Sequence, residues 1–132
     1  MRTKARTKGF SLIEVLVSMT IFSVGILGLL GMYARSVTGF SDSKYRTDAA
    51  LLADGLINDI WVNRANIASY AYTGGTASAV VQPWLNDVTA TLPNGNATVA
   101  VAGTTVQVTV TWQPPDAPVA HQHVEIATIQ NP

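Results

Sequence analysis

The sequence predicts an α+β protein. One long N-terminal helix, apolar in its first half and amphipathic in its second, packs on a small antiparallel sheet of about three to four strands. Three observations predict this. Residues 10–34 carry one charge, Glu14. Ala49, Leu52, Ala53, Leu56, Ile57 and Ile60 recur at the spacing of one helix face. From Thr98 onward the apolar period changes to two, the period of a strand.

The first helical half, Phe10 to Ala34, is apolar nearly all round and long enough to cross a bilayer. Gly25, Gly28 and Gly31 lie three apart within it. In water they cost helix stability, and in a membrane they let helices approach closely. A packing surface, local melting and simple tolerance all fit that spacing. Past Arg35 the pattern turns amphipathic, with Asp48, Asp54, Asn58 and Asp59 mainly off the apolar stripe. Lys44 and Asp48, four apart, are placed to pair. Gly39 marks a place for a kink. The helix is expected to run to about residue 66.

Residues 67–83 are rich in Ala, Ser, Thr, Gly and Tyr, centred on Gly74-Gly75, and read as a loop. Trp84, Leu85, Val88 and Leu92 share helical spacing, so 84–92 reads as a short helix. A strand is the rival there, since Val88, Thr89 and Thr91 favour β structure. Pro93-Asn94-Gly95 signals a turn. Val99 and Val101 alternate with Thr98 and Ala100. Val106, Val108, Val110 and Trp112 alternate with Gln107, Thr109 and Thr111. Gly103-Thr104 suits the hairpin between them. Pro114-Pro115 ends the second strand. A third, at about 121–129, presents Val124 and Ile126 on one face. The meander is expected to lay one face on the helix stripe. Trp61, Trp84 and Trp112 read as core; Tyr70 and Tyr72 stay open between contacts to a ligand or partner subunit and plain partly exposed side chains.

Length and composition set further bounds. The 132 residues allow one small domain and a membrane segment. Hydrophobic residues make up 48% and charged residues only 12%, in keeping with a membrane run. Net charge is zero but uneven: Arg2, Lys4, Arg6 and Lys8 are half of all Lys and Arg. They hold the N-terminus on the cytoplasmic side. Beyond them the chain is acidic, which argues against nucleic-acid binding through a basic surface. Without cysteine there is no disulfide, thiolate metal site or cysteine nucleophile. A head built from this chain rests on packing and backbone pairing.

The most specific signal is Gly9-Phe10-Ser11-Leu12-Ile13-Glu14-Val15, set between the basic segment and the apolar run. A charge on a membrane-length stretch costs several kcal/mol unless paired. A secretory signal peptide has a shorter apolar region and a small-residue cleavage site, whereas Met32-Tyr33-Ala34 fits such a site poorly. A plain signal anchor leaves Glu14 unexplained.

This run resembles the type III signal of prepilins, the precursors of type IV pilins and pseudopilins. The resemblance implies a pilin-like fold and cleavage by a prepilin peptidase after Gly9, with methylation of the new N-terminus on Phe10. It also makes Glu14 the charge partner of a Phe10 amine in subunit assembly. Residues four apart share a helix face, so amine and carboxylate can neutralise each other within a chain or between neighbours. The stretch Gly25–Gly31, the run Ala49-Ala50-Leu51-Leu52-Ala53-Asp54 and Asn63-Arg64-Ala65-Asn66 are similar to the PilV group of minor pilins, type IV pilus modification proteins.

On that resemblance, residues 1–9 are a cleaved leader and 10–34 the transmembrane and filament-core helix. Residues 35–66 are its amphipathic continuation, and 67–132 a β-rich head. It implies a single-pass precursor in the bacterial inner membrane, leader cytoplasmic and head periplasmic, and then a surface filament. The implied partners are the prepilin peptidase, the major and other minor pilins, and the inner-membrane assembly machinery, with no nucleic acid and no cofactor. A minor pseudopilin of a type II secretion system shares signal, helix and small head. A membrane-anchored surface binding module is the reading of another class.

Catalytic signals are weak. No serine sits in a nucleophile-elbow context, and no Gly-rich phosphate loop is present. His121-x-His123-x-Glu125 puts three donors on one strand face, a pattern that suits zinc, against the plainer reading of a solvent-facing polar row. The chain is therefore expected to be no enzyme.

Overall fold

The computed structural model describes Gly9 and residues 11–130. The chain divides into two compact units, one ending at Phe40 and one beginning at Ser41. Helix α1, Leu12–Val62, is unbroken through Gly39 and Gly55. In the first unit it is the whole described secondary structure. In the second, Ser41–Val62 forms one wall of a small α+β head.

After Val62 the chain tightens into a 3-10 stretch, η1, Arg64–Tyr70, so the helical path extends past residue 66 in a different geometry and takes in the first residues expected to be loop. Asn66 has φ −114° and ψ 29°, a break within that stretch. Helix α2 spans Gln82–Thr91, which decides the 84–92 segment for helix over strand. Pro83 lies in its first turn, where a missing N–H costs nothing. Strands β1, Asn96–Ala102, β2, Thr105–Trp112, and β3, His121–Thr128, form one antiparallel sheet in the order β1-β2-β3. Tyr72 adds a single bridge to Val99 on the outer edge of β1, with N···O distances of 2.8 and 2.6 Å. That bridge is as far as a fourth strand goes.

The turns follow their residues. Gly103 has φ 61° and opens the two-residue loop between Ala102 and Thr105. A positive φ at the first central position is the II′ hairpin pattern, which matches strand twist. At Pro93-Asn94-Gly95, Asn94 takes φ 49°. A Cβ on Gly95 would lie 2.5 Å from the Val88 carbonyl oxygen, so glycine is required where α2 hands over to β1.

The core is apolar: among the described residues no polar or charged side chain is fully buried. Ala49, Ala53, Leu56, Ile57 and Ile60 of α1 are all buried, as the stripe predicts. Trp84, Leu85 and Val88 of α2, Ala97 and Val99 of β1, and Val106, Val108, Val110 and Trp112 of β2 meet them in one cluster. Each fully buried Val or Leu contributes about 1.5–3 kcal/mol, which is what a cysteine-free head relies on.

Three expectations change. Trp61 is not core: it is 40% exposed, because one step of 100° past Ile60 carries it off the stripe. Tyr70, left open, is core at 3% exposure; its hydroxyl accepts from Asn63 Nδ2 at 3.3 Å and donates to the Asp59 carbonyl oxygen at 3.5 Å. On β3, Val124 and Ile126 are 41% and 63% exposed, whereas His121, His123, Glu125 and Ala127 are half-buried on the core side. The register explains it. These four pair with Trp112, Val110, Val108 and Val106, and directly paired residues share a sheet face.

Candidate functional site

Helix α1 begins at the signal run. Ser11 stands just before it, and its carbonyl oxygen accepts from the backbone N–H groups of Glu14 and Val15 at 3.0 and 3.3 Å. Glu14 lies in the first helical turn, where the N-terminal end of the helix dipole favours a carboxylate. Gly9 and Glu14 are both exposed. Phe10 and leader residues 1–8 lie outside the described residues. From the spacing alone, residue 10 is one helical turn before Glu14.

Every large apolar side chain from Leu12 to Tyr33 is exposed, with Leu12 at 83% and Phe22 at 69%. The helix is long and apolar enough to cross a membrane, and none of its most apolar stretch is buried. A contiguous apolar surface of that size requires a partner or a bilayer. The hydroxyls within it are internally satisfied. Ser18, Thr20 and Ser23 donate to the carbonyl oxygens of Glu14, Leu16 and Met19 at 2.7, 2.8 and 2.8 Å. Those bonds remove three polar groups from competition with an apolar medium. Glu14 is the remaining charge between residue 10 and Arg35. Chemically, the segment offers one carboxylate at the N-terminal end of an apolar rod.

The head holds a second polar group. His121 Nε2 is 3.8 Å from Asp42 Oδ1, and His123 Nε2 is 3.6 Å from Glu125 Oε2. Burial pushes the Glu125 carboxyl above its ordinary value; a hydrogen bond with Asp54 and the charge of Asp54 push the same way, and His123 pulls it back. The plain reading of a solvent-facing row is thus corrected: this row faces α1. Among the described residues no three His, Asp or Glu side chains are placed to hold a metal ion. The sequence shows the alternation but not its direction, because the eight residues between Trp112 and His121 leave the register open.

Tyr72 is half-buried beside β1, and Trp84 is buried. A cleft of about 380 Å³ is lined by Arg64, Ala65, Ile67, Thr104 and Ile129, a set without a carboxylate or imidazole to serve as a base.

The family described as the prokaryotic N-terminal methylation motif matches residues 4–30. The match covers Lys4, Arg6 and Lys8 of the basic segment, Gly9, Phe10, Glu14 and most of the apolar run. It supports a type IV prepilin-like precursor, pilin or pseudopilin. No curated protein and no solved structure matches the chain. The long helix packed on a three-stranded antiparallel sheet is a pilin-like α+β fold.

Proposed function

We propose that this chain is a minor pilin of a bacterial type IV pilus, of the PilV kind, with a structural and not a catalytic role. The observation that carries the reading is Glu14: one carboxylate in the first turn of a helix whose stretch up to Ala34 is otherwise uncharged, apolar and exposed, within the methylation motif. Prepilin peptidase removes Met1–Gly9 and methylates Phe10. The cationic amine of Phe10 then meets Glu14 of a neighbouring subunit as the helix leaves the inner membrane for the filament. Pairing offsets the cost of carrying each charge into an apolar core. The small head, without cysteine and with an acidic mature chain, favours a role in priming and assembly with the major and other minor pilins over ligand capture.

The test is mass spectrometry of sheared surface filaments from producing cells. A peptide beginning at methylated Phe10 in that fraction supports the proposal. The same peptide confined to membranes favours a type II secretion pseudopilin, as does loss of exoprotein secretion in place of surface fibres on deletion. An intact Met1–Gly9 leader beside an active peptidase overturns both.

A further inference from the structure

The register of the sheet fixes where each backbone group of β3 points. The Ile129 N–H donates to the Thr104 carbonyl oxygen at 2.7 Å, one step beyond the Thr105–Thr128 pair. Opposed residues of an antiparallel ladder exchange hydrogen bonds at every second pair. His121, His123, Glu125 and Ala127 therefore bond to β2, and Gln122, Val124, Ile126 and Thr128 turn their N–H and C=O groups away from it. The far edge of the sheet agrees. Val99 bonds outward to Tyr72 through both backbone groups, at 2.8 and 2.6 Å, so Val108, opposite Val99, bonds on its other side, toward β3. Tyr72 thus covers the middle of the β1 edge. Among the described residues nothing pairs with the outer edge of β3, the last strand of the sheet.

Exposed edges usually carry a device against stray pairing: a very short strand, a bulge, proline, lysine or a charge turned inward. Strand β3 has eight residues, no proline or lysine, and a one-to-one register without a bulge. The residues whose backbone points outward also have exposed side chains, among them Val124 and Ile126. The device that is present is the inward row, with Glu125 as its carboxylate. Glu125 lies within hydrogen-bond reach of Asp54, and its side chain keeps 30% exposure. His123 Nε2 stands 3.6 Å from it, too far for a hydrogen bond. A new antiparallel strand would place a residue opposite Glu125 in a close, non-hydrogen-bonded pair, with Cα atoms about 4.5 Å apart. An acidic or apolar side chain there meets two carboxylates, whereas a lysine or arginine neutralises them. Glu125 therefore discriminates among incoming strands, rejecting some and admitting others.

We propose that the β3 edge receives an extended segment of another polypeptide as a fourth, antiparallel strand, with β-branched residues opposite Val124 and Ile126 and a lysine or arginine opposite Glu125. Backbone hydrogen bonds supply the affinity, and the alternating side chains supply the choice of partner. A second copy of β3 is the poorer occupant, because that strand brings no lysine or arginine to the position. The proposal rests on the head alone and is independent of the role given to Glu14.

The test is amide exchange read by NMR on the full chain in detergent micelles, with the peptide acetyl-Thr-Thr-Val-Lys-Val-Thr-Thr-amide as probe. At about ten times its Kd the peptide should slow exchange of the Val124 and Ile126 amides about tenfold and leave β1 unchanged. Methylating the two valine nitrogens, which face β3 in this pairing, should abolish the effect. Methylating the lysine nitrogen, which faces away, should not. Glutamate in place of the peptide lysine should weaken binding about fivefold or more. Glu125→Lys should reverse the preference between the two peptides. Ile126→Lys, on the exposed face, should weaken binding of the lysine peptide, and it carries the variant arm if Glu125→Lys does not fold. Unchanged exchange at Val124 and Ile126 up to the solubility limit of the peptide, or equal binding of the valine-methylated or glutamate peptide, would overturn the proposal. Slow exchange at those two amides before peptide is added, lost on dilution, would put a second copy on the edge and overturn it as well.

Discussion

Trp84 Nε1 donates a hydrogen bond to the Leu52 carbonyl oxygen at 2.8 Å. The bond joins α2 to α1 across 32 residues of sequence. It also gives a largely buried indole its partner without breaking the helix, because a carbonyl oxygen has two lone pairs. Trp84→Phe keeps the ring and loses the bond, so it should cost about 1 kcal/mol. Trp84→Ala should cost about 3–5 kcal/mol through the cavity it leaves. Denaturant unfolding of the full chain in micelles, followed by near-UV circular dichroism, measures both. Equal costs would mean that the hydrogen bond dominates.

Gly95 and Gly55 should respond to alanine with opposite signs. A Cβ at position 95 would meet the Val88 and Leu92 carbonyl oxygens at 2.5 and 3.0 Å, so backbone must shift. Gly95→Ala should destabilise the head by about 1–3 kcal/mol, the usual cost of forced overpacking. A Cβ at Gly55 meets no atom within 4 Å, and Gly55 lies inside α1. Gly55→Ala should stabilise the helix by up to about 1 kcal/mol. Thermal unfolding of the two variants side by side checks the pair.

Removal of the Glu14 carboxylate should separate insertion from assembly. Glu14→Ala makes the apolar helix more apolar, so membrane insertion should be unchanged. Its abundance in sheared filaments should drop about tenfold or more, the equivalent of about 1.4 kcal/mol of lost pairing. Quantitative immunoblotting of membrane and filament fractions reads both quantities. Normal incorporation would remove Glu14 from the assembly role.

Substitution at Gly9 probes the step before assembly. Gly9→Val should leave the precursor in the membrane at full length, with its leader attached, while Gly55→Ala is processed normally. Gel mobility and N-terminal sequencing distinguish the forms. A mature-sized Gly9→Val product would place cleavage elsewhere.

Much of this protein is decided locally. Helix α1, its uncharged first half, the carboxylate in its first turn and the buried stripe from Ala49 to Ile60 all follow from residue type and a period of 3.6. The hairpin at Gly103 and the bounds of β1 and β2 follow from turn chemistry and a period of two. Helix α2 follows from the spacing of Trp84, Leu85 and Val88. The signal run needs no tertiary contact, because its proposed use depends on order along the chain.

Tertiary structure decided the facing of β3. Taken alone, the strand offers two faces, and apolarity chooses Val124 and Ile126 for the core. Pairing with β2 chooses the other face, because four buried side chains, Val106, Val108, Val110 and Trp112, fix the inner side of the sheet and β3 takes its facing from them. A one-residue slip would exchange the two faces, but it would also have to fit the tie between the Ile129 N–H and the Thr104 carbonyl oxygen at 2.7 Å. Two histidines and a glutamate are thereby set against the aspartates of α1. That juxtaposition joins residues some eighty positions apart, and no local period encodes it.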